Sequence, residues 1–177
     1  MEIVTDRLIL REWRHSDAES LFKFASDARV GPIAGWPPHK SIEESAAIIR
    51  DIFMQPGVFA VTLKGDDTAV GCIGVLCGGD SNFSIPDNEG EISYWLGVPY
   101  WGKGLTTEAV EALIRYSFET LRLKRLWCGY FDGNERSWRV QQKSGFRHHH
   151  TCPPQYYALI GETRIEHVTC LEKNSSD

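Results

Sequence analysis

Glu91-Ile92-Ser93-Tyr94-Trp95-Leu96-Gly97-Val98 runs directly into Pro99-Tyr100-Trp101-Gly102-Lys103-Gly104-Leu105-Thr106-Thr107-Glu108-Ala109, and the reading of this join decides the fold. The first eight residues read as a strand. Two glycines then let the backbone turn tightly, and a helix follows with an apolar stripe of Ala109, Val110, Leu113, Ile114, Phe118 and Leu121. Backbone N–H groups at such a helix start lack partners within the helix and point towards one spot. The helix dipole adds positive potential there, so a pyrophosphate is a natural guest. Lys103 could add charge, and Thr106 or Thr107 a hydroxyl. The glycines alone fit a ligand-free strand-to-helix connection equally well.

Outward from the join, residues 7–13 read as a first strand. Ser16 with Glu19 makes a capping-box pattern, which predicts a helix from near Asp17. Residues 31–40, with Pro32, Gly35, Pro37 and Pro38, form a loop. A second box, Ser41 with Glu44, opens a helix carrying Ile48, Ile49, Ile52 and Phe53 on one side. Residues 58–63 and 69–76 read as a strand pair turned at Gly65-Asp66-Asp67, and residues 81–90 as a polar loop. Downstream, residues 126–131 form a strand, and Asn134 caps a short helix over residues 135–144 that ends at Gly145. Residues 166–171 form a final strand. Helices placed irregularly among strands predict a mixed α/β sheet, not a doubly wound one. No long Pro/Gly/Ser linker or repeat divides the chain, so residues 1–177 read as one domain.

The composition narrows the function. A net charge of -5 argues against non-specific nucleic-acid binding, which needs clustered cations, and suits cationic partners such as amines. No run of about 18 apolar residues exists, so no transmembrane helix is expected. The N-terminal residues show no basic segment followed by an apolar one, so no signal peptide is expected. Five cysteines without CxxC spacing favour reduced thiols, a cytoplasmic setting and no zinc site. Disorder is expected only over residues 173–177.

Two phosphate-binding motifs come close to the bend and fail. Residues 97–103 match the first seven positions of a P-loop, G-x-x-x-x-G-K, but the magnesium-holding Ser or Thr is replaced by Gly104. Pro99 also has no N–H to offer a phosphate. The dinucleotide pattern G-x-G-x-x-G fails at Thr107, where its third glycine belongs.

Taken together, the residues resemble a known family. Residues 91–109 are similar to motif A of the GNAT acetyltransferase superfamily, and most of all to its ribosomal-protein N-terminal acetyltransferase branch. Arg7-Leu8-Ile9-Leu10-Arg11 resembles the opening strand, followed by Asp17-Ala18 at the first helix. Asn134-Glu135-Arg136-Ser137 resembles that branch's Asn-x-x-Ser, and Lys143-Ser144-Gly145-Phe146 its Lys-x-Gly-Phe. The resemblance covers nearly the whole chain, about residues 5–171. Pro99 stands where the superfamily often has Gln or Arg, so side-chain help from that position is lost.

The resemblance implies a largely antiparallel central sheet flanked by helices, and transfer of acetyl from acetyl-CoA to a primary amine without a metal. A protein N-terminus is the leading acceptor. A polyamine or aminoglycoside, or a CoA-binding module without turnover, are the alternatives, and a homodimer is left open. It implies that Leu96, Gly97 and Val98 pair with the pantetheine arm, with an N–H near Leu96 polarising the thioester carbonyl. Gly102, Lys103, Gly104, Leu105, Thr106 and Thr107 would hold the pyrophosphate, Asn134 would face the pantetheine arm, and Ser137 would protonate the leaving thiolate. Glu91 is the expected base, acting through water; a solvated strand-start carboxylate is its structural alternative. Trp36 walls the acceptor pocket or caps the core. His148-His149-His150 reads as a solvated strand rather than a metal site.

Overall fold

The decisive join lies at the centre of the molecule. In a computed structural model describing residues 1–173, its strand is β5 (Glu89–Leu96) and its helix is α3 (Leu105–Glu119). Residues 174–177, most of the tail expected to be disordered, lie outside the described residues. The other strands of the main sheet are β1 (Glu2–Val4), β2 (Leu8–Glu12), β3 (Val58–Leu63), β4 (Asp66–Cys77), β6 (Arg125–Phe131), β7 (Arg147–Thr151) and β10 (Glu166–Glu172). Their spatial order is β1-β2-β3-β4-β5-β6-β10-β7. Every neighbouring pair is antiparallel except β5 and β6. Strands β8 (Gln155–Tyr157) and β9 (Glu162–Arg164) make a separate hairpin.

Alternation along β5 sends its side chains to two different cores. Ile92 and Leu96 enter the apolar cluster of Leu105, Ala109, Val110 and Leu113 beneath α3. Trp95 also packs on the opposite face, where α1 (Ala18–Ala25) and α2 (Ile42–Ile48) bury Ala18, Leu21, Ala25 and Ile49 against Ala60 and Cys72. A fully buried Leu or Ile contributes about 1.5–3 kcal/mol over an exposed one. Both faces of the central strands are therefore covered. Among the described residues no helix is long and apolar enough to cross a membrane.

Three local expectations give way to tertiary contacts. Ser16 caps nothing; instead Asp17 accepts from Arg11 Nη1 and Nη2 at 2.8 Å each and from Arg14 N at 2.9 Å. Arg11 is 2% exposed and also meets Asp67 at 2.7 Å, so this ion pair sets the approach to α1 through a short 3-10 turn. Removing one partner of such a buried pair costs about 3–5 kcal/mol. Ser41 does cap Glu44 N, but the second helix continues as a π-helical turn over Ile49–Phe53. The wider turn rotates Ile52 outwards to 48% exposure, away from buried Ile49. The β3–β4 turn is Lys64-Gly65, with Gly65 at φ 85°, because Asp66 already pairs with Leu63.

Candidate functional site

Strands β5 and β6 are joined only at their starts. Glu89 pairs with Arg125, Gly90 with Leu126 and Glu91 with Trp127, and the ladder stops there. β5 stays on β4 as far as Leu96, and β6 stays on β10 as far as Phe131, so the two strands splay apart. Gly97 N donates to Val70 O at 2.8 Å. Backbone direction alternates along a strand, which turns the N–H groups of Leu96 and Tyr94 to the opened edge. The amide of Gly97 is thus spent on β4, while that of Leu96 faces the gap. Val98 begins a single turn, with Trp101 N donating to Val98 O at 3.1 Å.

The bend lies at the open end of this gap. Gly102 (φ 72°) and Gly104 (φ 76°) occupy the left-handed region that a side chain makes costly. Gly104 caps α3 without a side-chain bond, and the first helical amide with an acceptor is Glu108 N, on Gly104 O at 3.1 Å. Among the described residues, no protein acceptor meets the amides of Gly102 through Thr107. Three cations surround them. Lys103 is exposed, and its ammonium lies 5.7 Å from the Tyr100 ring centroid. Arg7 donates to Lys103 O at 2.9 Å and pairs with Glu108 at 2.7 Å. Arg136 stacks 4.3 Å above Trp101, whose Nε1 donates to Leu96 O at 2.6 Å. Burial opposes ionisation of Glu108, yet the Thr5 hydroxyl and the Arg7 amide and guanidinium hold it below its ordinary value. That carboxylate anchors the bend to the start of β2.

On the α3 side of the gap stands α4 (Glu135–Lys143). Asn134 Oδ1 accepts from Ser137 N at 3.3 Å, a helix cap, and its Nδ2 reaches Ile33 O at 3.4 Å. Ser137 Oγ lies 2.9 Å from Tyr94 Oη and receives Gln141 Nε2 at 3.1 Å. Burial raises the Tyr94 phenol well above its ordinary pKa, so it keeps its proton. Cys128, on the same face of β6, is buried and its thiol is pushed up by desolvation, which makes it inert.

The other face of the gap carries carboxylates. Glu91 is buried, not solvated: Ser81 Oγ donates to it at 2.8 Å, Asn82 N at 2.6 Å and Asn82 Nδ2 at 3.1 Å. Glu166 on β10 lies across Gly129, where a side chain would collide with Glu166 Oε1. Burial raises the Glu166 carboxyl above the ordinary carboxylate range; the Tyr157 hydroxyl, donating at 3.0 Å, opposes the rise and nearby Glu91 adds to it. Trp36 packs edge-on to Trp95 at 5.8 Å between centroids, so its loop closes this same face. A cleft of about 530 Å³ opens beside it, lined by Ile33, Phe131, Asp132, Asn134 and Arg164 among others.

Sequence reading had marked the bend, Asn134, Ser137, Glu91 and Trp36, and the fold gathers them around one gap. It missed Arg7, Tyr94, Gln141, Tyr157 and Glu166. Arg7 and Tyr94 lie within the segments singled out, but nothing local marks their partners. Glu166 looked like an ordinary strand residue, since its partners Tyr157 and Gly129 belong to other elements.

Residues 7–147 match the family described as an acetyltransferase (GNAT) domain. The Bacillus licheniformis protein p20, named an uncharacterized N-acetyltransferase, is 33% identical over 132 residues, covering 70% of each chain. YdaF of Bacillus subtilis, named as a candidate ribosomal N-acetyltransferase, is 37% identical over 86 residues, 48% of this chain and 47% of its own. Among solved structures, a GNAT-family acetyltransferase from Bacillus anthracis has a TM-score of 0.83 at 24% identity, covering 97% of this chain and 98% of that one.

Proposed function

Because the chain belongs to the GNAT acetyltransferase family and uses acetyl-CoA as its donor, we propose that it acetylates the α-amine of a protein N-terminus. The observation that carries the donor site is the run of unpartnered amides from Gly102 to Thr107 beside the open edge of β5. Those amides, with Lys103, Arg7 and Arg136 around them, suit a diphosphate at a helix start. In this reading the pantetheine arm runs along Leu96, Gly97 and Val98 with Asn134 opposite. The Leu96 N–H polarises the thioester carbonyl, a contribution of about 3 kcal/mol where such a donor is preorganised.

The amine must lose a proton before it attacks. A lysine-like amine near 10.4 costs about 4–5 kcal/mol to deprotonate at neutral pH, and an α-amine near 7.8 only about 1. Glu166 suits that smaller task, because its raised pKa makes it a better proton acceptor than an ordinary carboxylate. Glu91 already accepts three hydrogen bonds from Ser81 and Asn82, which hold it in place behind Glu166. Together the two draw a cationic amine to the gap. Ser137, on the opposite face, gives a proton to the departing sulfur.

The N-terminal acceptor is supported by the likeness to YdaF and by the open cleft of about 530 Å³ at Phe131, the strand partner of Glu166. Ile33, three residues before Trp36 in the same loop, lines the cleft, and in this reading Trp36 braces that loop against Trp95. The test is thiol release from acetyl-CoA with peptides bearing free N-termini, polyamines and aminoglycosides, one at a time. Peptides are expected to give the highest kcat/KM, and blocking the peptide N-terminus should abolish it. Faster turnover of a polyamine or aminoglycoside would overturn the acceptor assignment.

A further inference from the structure

A buried chain of hydrogen bonds reaches Ser137 from β10, along the same face of the sheet. Gln141 is fully buried on α4, one turn after Ser137, and its Nε2 donates to Gly129 O and to Ser137 Oγ, both at 3.1 Å. Its Oε1 accepts from Thr169 Oγ1 at 2.7 Å, and Thr169 is fully buried as well. Only one orientation of the amide satisfies these partners. The Gly129 carbonyl can only accept, so the NH2 end must face it, and the Thr169 hydroxyl supplies the proton that the oxygen end needs. The amide therefore has one N–H left, and it is aimed at Ser137 Oγ. Tyr94 Oη, 2.9 Å away, holds the same oxygen from β5.

We propose that Gln141 is a positioning residue, which fills a lone pair of Ser137 Oγ so that the serine's own proton is free for the leaving sulfur. The inference rests on the reading of Ser137 as the acid. As the amine nitrogen bonds to the acetyl carbon and the C–S bond breaks, sulfur takes the pair from that bond and the Ser137 proton. The amine's surplus proton leaves through Glu166 to solvent, and solvent returns one to Ser137. While Oγ is short of a proton, the Gln141 N–H and the Tyr94 O–H stabilise its negative charge. A packing role alone would need none of this: an apolar side chain of similar length fills the same space.

The experiment is a double-mutant cycle on the whole enzyme, read as thiol release from acetyl-CoA with the most active acceptor of the screen above. Ser137→Ala is expected to lower kcat about 100-fold. Gln141→Met should lower it about tenfold with the KM for acetyl-CoA unchanged, and the double variant should match Ser137→Ala alone. Losses that add, or full kcat in Gln141→Met beside a slow Ser137→Ala, would overturn the inference and leave the acid in place. Full kcat in Ser137→Ala would remove the acid and the inference with it. If Gln141→Met does not fold, Gln141→Glu keeps the acceptor for Thr169 but, as a neutral acid, has one O–H for two partners. It should still lower kcat at constant KM, and full kcat would count against the proposal.

Discussion

The backbone proposed to hold the donor lies in one continuous stretch, residues 96–107, whereas the residues proposed for the acceptor side, Trp36, Glu91, Gly129, Tyr157 and Glu166, come from separate segments of the chain. In that proposal the donor stretch works mainly through backbone amides, which every residue but proline carries, and its demand on sequence is for glycine where φ is positive. The proposed acceptor side relies on side chains whose properties come from their surroundings: burial raises the Glu166 pKa, and nearby Glu91 adds to the rise. The contrast explains why one half of the site is a motif and the other is not. It also separates the two halves experimentally.

The largest expected effect falls on the acceptor side. Glu166→Gln should lower kcat/KM about 100-fold or more while leaving the dissociation constant for CoA unchanged. In the parent enzyme kcat/KM should rise with pH as Glu166 gives up its proton. Because its pKa is raised, that limb should lie above the ordinary carboxylate range and vanish in the variant. A limb unchanged in Glu166→Gln would assign the base elsewhere. A smaller effect is expected on the donor side. Gly104→Val puts a β-branched residue at φ 76°, a strain of about 1–3 kcal/mol. CoA should bind about tenfold to a hundredfold more weakly by calorimetry, and an unchanged dissociation constant would contradict the diphosphate assignment. Smallest of all, Trp36→Ala should raise the acceptor KM a few-fold with CoA affinity intact. A change in CoA binding instead would mean that the loop braces the donor side through Trp95.

Legibility followed the same division. The strand, bend and α3 were readable because alternation, two glycines and a 3.6-residue stripe are all local signals. Asn134 as a cap and Gly145 (φ 89°) at the end of α4 were readable for the same reason. Ser16 misled because its box is a local pattern that the Arg11–Asp17 ion pair outweighs. Ile52 misled because one π turn breaks the helical period without a mark in the sequence. For Glu91 it is the alternative of a solvated strand-start carboxylate that fails, since nothing near it in sequence shows that Ser81 and Asn82 fold back to bond its carboxylate.

By itself the sequence determined that strand, turn and helix meet at residues 96–107 and that the amides of the helix start lack partners within the helix, because that outcome depends only on short-range sterics and hydrogen bonding. Where β5 parts from β6, which carboxylate is buried, and which hydroxyl Gln141 holds were decided only when distant strands paired. Each of those properties depends on the distance and solvation between groups far apart in the chain, and neither quantity exists before the sheet has formed.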